Sequence, residues 1–222
     1  SPYVAMTCEM VKMFPHRGGT FQIEPDASSG SYFLGAHWLS STGLSAQPSP
    51  SAIRVNNWPT TEWQIDARFG ASQELPIFIS RKNDLGDSIM TAIVIAPLGF
   101  APIRFTDLGR LRVQECERVV ALRTELTKCG AKVVETGDTL AVFPSPLHGA
   151  VIETYNDHRM AMCFAILGLK VPGIKLKNPA CVKKTFPNFF QKLATAPPHG
   201  LGATILDGHT GRKLALEELF AD

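Results

Sequence analysis

The sequence predicts an α/β protein built from a repeated unit. Three segments place an aspartate directly before a run of small or apolar residues, beginning at Asp26, Asp87 and Asp157. Aspartate is a good helix N-cap, and an apolar run without a polar stripe predicts a buried helix. Strand-like stretches alternate with these segments, which is typical of α/β folds. The pattern therefore favours one supersecondary unit used several times, in the order strand, helix, strand, helix, strand, strand.

Residues 153–164 are the most informative of these segments, because a strand-like run turns there into an apolar helix. The apolar run over residues 160–169 is too short to cross a membrane. A buried helix has unpaired N–H groups and partial positive charge at its N-terminus, and His158 and Arg159 add donors and charge there. The segment predicts an anion site. The alternative is a capped core helix in which Arg159 pairs with a structural carboxylate.

The chain before Asp87 predicts an incomplete first unit. Apolar groups at helical spacing indicate an initial helix that Gly18 and Gly19 end, and a segment rich in Ser, Pro and Gly indicates a loop. The predicted elements are a helix over residues 4–14, a strand over 20–24, a helix over 28–39, a loop over 40–51, a strand over 52–56, a helical turn over 62–69 and a strand over 76–80.

The second unit is more clearly patterned. Its capped helix over residues 87–96 is ended by Pro97 and Gly99, and a strand over 102–106 follows. A helix over 112–128 closes at a glycine, with apolar positions at helical spacing, namely Val113, Cys116, Val120 and Leu126. Strands over 131–135 and 139–143 flank Thr136-Gly137-Asp138, a hairpin signal.

The third unit contains the central helix between two predicted strands. These strands cover residues 150–155 and 174–178, and a short helix over 186–194 follows them. From Pro197 the pattern changes: residues 203–206, a turn over 207–211 and residues 212–220 predict either a small hairpin or a strand and a helix.

Composition excludes several classes of function. With 222 residues, 45% of them hydrophobic, the chain can bury one core or one lobe of a larger protein. The net charge of +2 comes without a basic block, which argues against nucleic-acid binding. The five cysteines are odd in number and lack the spacing of metal ligands. We therefore expect a cytoplasmic protein whose cysteines are reduced core thiols, namely Cys8, Cys116, Cys129, Cys163 and Cys181. The opening Ser1-Pro2-Tyr3 shows no signal peptide and suggests a fragment.

Four segments together resemble the C-terminal half of the enolpyruvylshikimate-phosphate (EPSP) synthases. They are residues 152–164, 184–187, 26–29 and 112–118, and the run Tyr-Asn-Asp-His-Arg-Met-Ala-Met is highly specific. The resemblance covers residues 3–193 and implies one lobe of an inside-out α/β barrel, with buried helices inside and sheets outside. It implies three parts: residues 1–24 as a remnant of the other lobe and crossover, 25–196 as the C-terminal lobe, and 197–222 as an appended tail.

The resemblance also implies an activity and its partners. Members of the family transfer the enolpyruvyl group of phosphoenolpyruvate to shikimate 3-phosphate and release phosphate, without a metal or a cofactor. We therefore expect a cytoplasmic enzyme, monomeric when complete, whose present chain lacks the N-terminal half and is inactive alone. Neither a membrane nor a nucleic acid is an expected partner. Residues 69–84 are shorter than the family's usual helix and strands, so part of one repeat is missing.

Roles follow from the resemblance residue by residue. Asp87 matches the position that contacts the shikimate hydroxyls and acts as the base, and Glu115 matches the proton donor to the methylene carbon. The cations expected around phosphoenolpyruvate are Arg118, Arg159 and Lys184. The supporting residues are Asn156, Asp157 and His158.

The residues alone allow simpler roles. Asp87 is then only an N-cap, and Glu115 with Arg118 is an ordinary exposed ion pair three residues apart on one helix. His158 is then a core histidine, and Lys183 is solvated.

The shikimate side departs from the family pattern at two positions. Gln114 stands where the family has a lysine that contacts shikimate 3-phosphate, and Arg110 stands where an asparagine is usual. A neutral glutamine keeps a donor but removes a charge. Tyr3 falls on a tyrosine that contacts the same substrate.

Two other functions compete with this one. The first is the related transferase that acts on UDP-N-acetylglucosamine, but the Asn-Asp-His-Arg-Met and Lys-Thr-Phe-Pro runs favour the shikimate enzyme. The second is a non-catalytic anion-binding module that kept the fold, which the retention of Asp87 and Glu115 argues against.

Overall fold

Three buried helices contact one another at the centre of the molecule. The computed structural model describes residues 2–41, 53–71 and 74–222, and these helices are α2 (Ala27–Ser41), α3 (Ile89–Ile95) and α5 (His158–Gly168). Every residue of α3 is buried, as the unbroken apolar run predicted. A side chain at Gly35 would lie 2.7 Å from Thr91 Cγ2, so the close approach of α2 to α3 requires glycine there.

The second unit is the most complete. Around α3 it consists of β1 (Phe78–Ser80), β2 (Ile103–Thr106), α4 (Arg118–Lys128), β3 (Val133–Thr136) and β4 (Thr139–Val142). The strands form one sheet in the order β1-β2-β4-β3, in which only the β1 and β2 pair is parallel. Phe105 pairs with Ile79 and Leu140, and all three are buried on the helix side. The predicted hairpin is confirmed, with Gly137 at φ +56° in its turn.

The third unit is shorter than predicted. Its two parallel strands are β5 (Val151–Ile152) and β6 (Lys175–Leu176), followed by a 3₁₀ helix over Pro179–Lys184 and by α6 (Phe189–Ala194). β5 ends early because Tyr155 and Asn156 both have positive φ angles, which turn the chain into α5.

Two strands predicted for the first unit are wrong. Residues 20–24 and 53–56 form no strand, while position 52 and the predicted loop over 42–51 lie outside the described residues. Phe21 instead stacks between Phe14 and Trp63, with ring centroids 4.4 and 5.7 Å away. A β-strand is stable only when it pairs with a neighbouring strand, so the strand propensity of these residues alone is not sufficient. The predicted helical turn is a 3₁₀ helix over Ile65–Ala71.

The helix predicted over residues 112–128 begins only at Arg118. A 3₁₀ helix over Leu108–Val113 precedes it, and the Glu117 carboxylate caps α4 by accepting from Val120 N. The predicted burial of Val113 and Val120 is wrong, since they are 66% and 38% exposed. Leu126 is buried as predicted, and the apolar stripe of α4 reaches it through Val119 and Leu122.

The two ends of the chain differ in burial. Helix α1 (Pro2–Met13) confirms the predicted initial helix, but none of its residues is buried. The tail has an antiparallel bridge between Leu206 and Lys213 and a 3₁₀ helix over Glu217–Leu219, so it combines the two forms predicted for it. Ala221 N donates to Pro187 O at 2.9 Å, which holds the tail against α6.

The cysteines are all free, and burial divides them. Cys129, Cys163 and Cys181 are core thiols as predicted, Cys116 is half-buried, and Cys8 is exposed on α1, against the prediction. Among the described helices, none has the length and apolar character to cross a membrane.

Candidate active site

The N-termini of the three central helices meet around Arg159. The Asp26 carboxylate caps α2 by accepting from Ser28 N at 2.9 Å, and Asp157 caps α5 by accepting from Arg159 N at 2.8 Å. The Arg159 guanidinium lies 3.5 Å from Ser28 Oγ on α2 and 3.5 Å from Asp87 Oδ2 before α3. The N-termini of the three repeated segments therefore converge on one site, although only two of the three aspartates act as caps.

Asp87 is not a helix cap. Asp66 takes that place, because its Oδ1 accepts from Ser88 N at 2.6 Å. The Asp87 side chain, 9% exposed, faces three guanidiniums instead: Arg81 Nη2 at 2.6 Å, Arg159 Nε at 3.5 Å and Arg118 Nη1 at 3.6 Å. Burial favours the neutral acid, but Arg159, Arg81 and Arg118 outweigh it and hold the pKa of Asp87 below its ordinary value. Asp87 is therefore a carboxylate near neutral pH.

Arg118 is a fully buried hub. Its Nε donates to Asp157 Oδ2 at 2.7 Å, and Nη2 donates to Asp157 Oδ1 at 3.2 Å and to Glu115 Oε2 at 2.7 Å. Nη1 donates to Gln114 Oε1 at 2.7 Å. With a side chain only 1% exposed, Arg118 is not part of an ordinary exposed ion pair. Burial opposes its charge, but Asp157 and the other carboxylates raise the pKa of Arg118, which stays a cation.

Glu115 bridges Arg118 to Lys184. Its Oε1 accepts from Lys184 Nζ at 3.0 Å, which links the loop before α4 to the end of the 3₁₀ helix before α6. The sequence predicted Glu115 on the same helix as Arg118, and this is wrong. Because α4 begins at Arg118, Glu115 lies in the loop three residues before the helix. Partial burial acts against ionisation, yet Lys184 and Arg118 hold the pKa of Glu115 below its ordinary value. Glu115 is therefore a carboxylate in this state.

Arg159 is the loosely held cation of the site. Its side chain is 18% exposed, and its contacts to Tyr32 Oη, Ser28 Oγ and Asp87 Oδ2 are all 3.5 Å long. Burial disfavours its charge, but Tyr32 and Asp87 raise the pKa of Arg159. A guanidinium has five N–H donors, and donors without a close acceptor suit a carboxylate or phosphate. Arg159 therefore has the geometry expected of an anion receptor.

The residues predicted for the shikimate side divide into two groups. Gln114 and Tyr3 reach the cluster: Gln114 Nε2 donates to Asp87 Oδ2 at 3.2 Å, and Tyr3 Oη accepts from Asp87 N at 2.8 Å. A lysine in place of Gln114 could reproduce the bond to Asp87 but could not accept from Arg118. Arg110 is exposed on the 3₁₀ helix over Leu108–Val113, and within the described part of the chain its side chain makes no contact with the cluster.

The supporting residues also differ from one another. His158 is buried with Nδ1 4.0 Å from Asp157 Oδ1, and burial together with Arg159 lowers the pKa of His158, so that it is neutral near pH 7. Asn156 shapes the turn before α5 with a φ of +55°, and its Oδ1 accepts from Asn178. Lys183 is exposed, in line with a solvated charge.

Sequence reasoning missed Arg81 and Asp66. Both are buried, and both act at the start of α3, Asp66 from the 3₁₀ helix over Ile65–Ala71 and Arg81 from the position directly after β1. A charged residue that is buried must be paired, but no sequence pattern indicated that these two are buried.

Fold and site together define an α/β protein whose helix N-termini enclose a cluster of arginines and carboxylates. A family model described as EPSP synthase (3-phosphoshikimate 1-carboxyvinyltransferase) matches residues 5–193. The chain therefore belongs to the EPSP synthase family.

Relatives agree with this assignment. The chain is 33% identical over 228 residues to 3-phosphoshikimate 1-carboxyvinyltransferase of Nostoc punctiforme, covering 86% of this chain and 51% of the relative. It is 37% identical over 186 residues to the protein of that name from Pseudomonas syringae, covering 81% and 43%. The chain thus spans about half the length of the relatives it matches. An EPSP synthase structure from Acinetobacter baumannii superimposes with a TM-score of 0.53 at 19% identity, covering 80% of this chain and 48% of that chain, which supports the fold.

Proposed function

We propose that this chain is the C-terminal half of a 3-phosphoshikimate 1-carboxyvinyltransferase, which transfers the enolpyruvyl group of phosphoenolpyruvate to shikimate 3-phosphate and releases phosphate. The observation that carries the proposal is Arg159, a mostly buried cation with only long contacts, beside an ionised Asp87 where three helix N-termini meet. Family membership supports it, and the names of the relatives give the reaction.

In this proposal the site divides the chemistry between two carboxylates. Asp87 is ionised and accepts the proton of the shikimate hydroxyl, for which an available carboxylate oxygen is required. Glu115 gives a proton to the methylene carbon of phosphoenolpyruvate as the hydroxyl oxygen bonds to C2. It then takes a proton back from the resulting methyl group as the C2–O bond to phosphate breaks and phosphate leaves. Arg159, Arg118 and Lys184 hold the phosphate and carboxylate groups, and planar guanidiniums suit both.

Glu115 needs a change of partners before it can act as an acid. In the described state Lys184 and Arg118 keep it ionised. A trianionic ligand competes for the same two cations, and a carboxylate that loses its cationic partners has a higher pKa. Binding of phosphoenolpyruvate thus prepares the proton donor, because it draws Lys184 and Arg118 away from Glu115.

The proposal includes the finer architecture. Residues 25–196 form one lobe of an inside-out α/β barrel, residues 1–24 belong to the crossover from the other lobe, and residues 197–222 are an appended tail. The complete enzyme is a cytoplasmic monomer without a metal or cofactor, and its substrates lie in the cleft between the lobes. In the lobe alone the side chain of Lys184 is 62% exposed, and a cation open to water binds anions weakly.

A non-catalytic anion-binding module is the second candidate. One observation favours it: Arg118 already makes four hydrogen bonds to acceptors of the chain itself, which leaves few of its five N–H groups for a ligand. The UDP-N-acetylglucosamine transferase has no comparable support in the geometry.

The deciding experiment measures phosphate release by the purified chain with and without a separately produced N-terminal half from a relative. We expect weak, salt-sensitive phosphoenolpyruvate binding by the chain alone and turnover only with both halves. In the reconstituted enzyme, Asp87→Asn and Glu115→Gln should each lower turnover by roughly a hundredfold or more. The control is Glu218→Gln, which changes an exposed carboxylate paired with Arg212 in the tail.

Two outcomes would overturn parts of the proposal. Robust turnover by the chain alone would show that it is not half an enzyme. A correctly assembled pair that binds phosphoenolpyruvate but releases no phosphate would favour the anion-binding module.

A further inference from the structure

Arg81 is a buried side chain with no part in the reaction proposed above. It follows β1, and its backbone N donates to Thr106 O at 3.0 Å, so the sheet fixes its position. The guanidinium donates twice to the same oxygen, Asp87 Oδ1, from Nη2 at 2.6 Å and from Nε at 3.2 Å. Its Cζ lies 5.7 Å from the centre of the Tyr3 ring, within the range of a cation–π contact.

The two oxygens of Asp87 therefore face different partners. Oδ1 is held by Arg81, whereas Oδ2 faces Gln114 Nε2 at 3.2 Å, Arg159 Nε at 3.5 Å and Arg118 Nη1 at 3.6 Å. Arg159 comes no closer, although two opposite charges in a mostly buried site attract strongly. The shortest contacts of the Asp87 carboxylate are those with Arg81, both through Oδ1.

We infer that Arg81 is a positioning residue, which fixes the Asp87 carboxylate through Oδ1 so that only Oδ2 is presented to a ligand and Arg159 stays available for an anion. Without Arg81, the carboxylate can turn and take Arg159 into a full ion pair, which occupies the cation that an incoming anion needs. The catalytic consequence of this inference rests on the proposed function, but the effect on Asp87 and on anion binding does not.

A purely structural ion pair is the competing explanation. It would stabilise the start of α3 without affecting which cation Asp87 engages. A second competing explanation is that Arg81 simply adds positive charge near the anion. Only the positioning role requires the Asp87 carboxylate for Arg81 to affect anion binding, so the explanations can be distinguished by removing that carboxylate.

A double-mutant cycle separates them on the intact chain. Arg81→Met and Arg81→Lys are made in the natural background and in Asp87→Asn, and inorganic phosphate and phosphoenolpyruvate are each titrated by calorimetry. In the natural background, we expect Arg81→Met to weaken anion binding about tenfold. In the Asp87→Asn background, where no carboxylate can capture Arg159, the same substitution should weaken it less than about twofold. Arg81→Lys should fall between, because an ammonium group cannot make the two-armed contact. Arg104→Met is the matched control, since Arg104 is exposed on β2.

Carbon-13 NMR of the Asp87 carboxyl group adds a readout that needs no ligand. Its titration midpoint should move upward in Arg81→Met and partly in Arg81→Lys, because the nearest guanidinium is lost. Arg81→Lys keeps a positive charge opposite Asp87, so it still supplies both the carboxyl titration and the anion-binding comparison if Arg81→Met does not fold.

The results that would overturn the role of Arg81 differ from those that would overturn the proposed reaction. An unmoved Asp87 midpoint, or equal weakening of anion binding in both backgrounds, overturns the inference about Arg81. If neither anion binds the natural chain, the proposed function loses its support, while the carboxyl titration still decides whether Arg81 holds Asp87.

Discussion

Asp157 has two tasks at the residue scale, and Asp26 has only one. Both aspartates cap a helix, but Asp157 is also the main counter-ion of Arg118, and both members of that pair are fully buried. Removal of one partner of a buried pair leaves an uncompensated charge.

We expect Asp157→Ala to lower the free energy of unfolding by about 3–5 kcal/mol. Asp26→Ala should lower it by only about 1 kcal/mol, the usual effect of losing a cap. Chemical denaturation of the two variants checks this. Similar losses in both would mean that Glu115 and Asp87 suffice to compensate the charge of Arg118.

Asp87 and Glu115 also predict how stability changes with pH. Both have pKa values below their ordinary range, Asp87 through its arginines and Glu115 through Lys184 and Arg118, although burial acts in the opposite direction. Such groups contribute stability that is present above the unfolded-state pKa and lost as the pH falls through the folded-state pKa.

We therefore expect the free energy of unfolding to decrease on acidification below about pH 4, near the unfolded-state values of the two carboxyl groups. Asp87→Asn should make this decrease less steep, because one of the contributing groups no longer titrates. Urea unfolding at a series of pH values measures the slope. An equally steep decrease in Asp87→Asn would contradict the assignment.

At the scale of elements, the tail supports α6 through a single well-buried leucine. Leu219 is 6% exposed, whereas Leu216, one turn earlier, is 42% exposed and contributes its backbone oxygen to Gln191. Leu219→Ala should lower the free energy of unfolding by about 2–4 kcal/mol, since it leaves a cavity. Leu216→Ala is the control and should change it by less than about 0.5 kcal/mol. Equal small effects in thermal unfolding would show that the tail does not support the core.

The elements that could be predicted are those whose signals are local. Helices α3 and α5 have unbroken apolar runs, and the hairpin has a glycine in its turn, so their existence followed from the sequence. The start of α4 could not be predicted, because the cap at Glu117 competes with an apolar pattern that continues upstream. The strands over 20–24 and 52–56 were predicted from propensity alone, which does not say whether a partner strand exists.

The candidate site was predictable only in part for the same reason. Arg159 and Asp157 lie in one continuous motif, so their proximity is local. The contacts of Asp87 with Arg118 and Arg159 join residues far apart in the chain, and the resemblance to a family supplied them. Arg81 was found only in the structure, because burial of a charged side chain depends on the folded surroundings.

At the scale of the whole molecule, the core is continuous but does not include the first helix. The buried apolar residues of α2, α3, α5, the four-stranded sheet and the tail belong to one cluster, and α1 contributes none. Stability should therefore be uneven along the chain.

We expect amide hydrogens of α3 and α5 to exchange only through global unfolding, and those of α1 to exchange orders of magnitude faster through local opening. Hydrogen exchange followed by mass spectrometry or NMR measures both. Comparable protection of α1 and α5 in the isolated chain would show that α1 belongs to the folding unit after all.

The bond between Tyr3 and Asp87 connects this helix, which has no buried residue, to a carboxylate that faces three arginines. Tyr3 Oη accepts from Asp87 N, and no residue of α1 is buried. A displacement of α1 by one helical turn, about 5.4 Å, would break that bond while the apolar core stays intact. The first helix is thus joined to the site by a hydrogen bond rather than by the core, so a shift of α1 would release the Asp87 backbone N–H without unfolding the core.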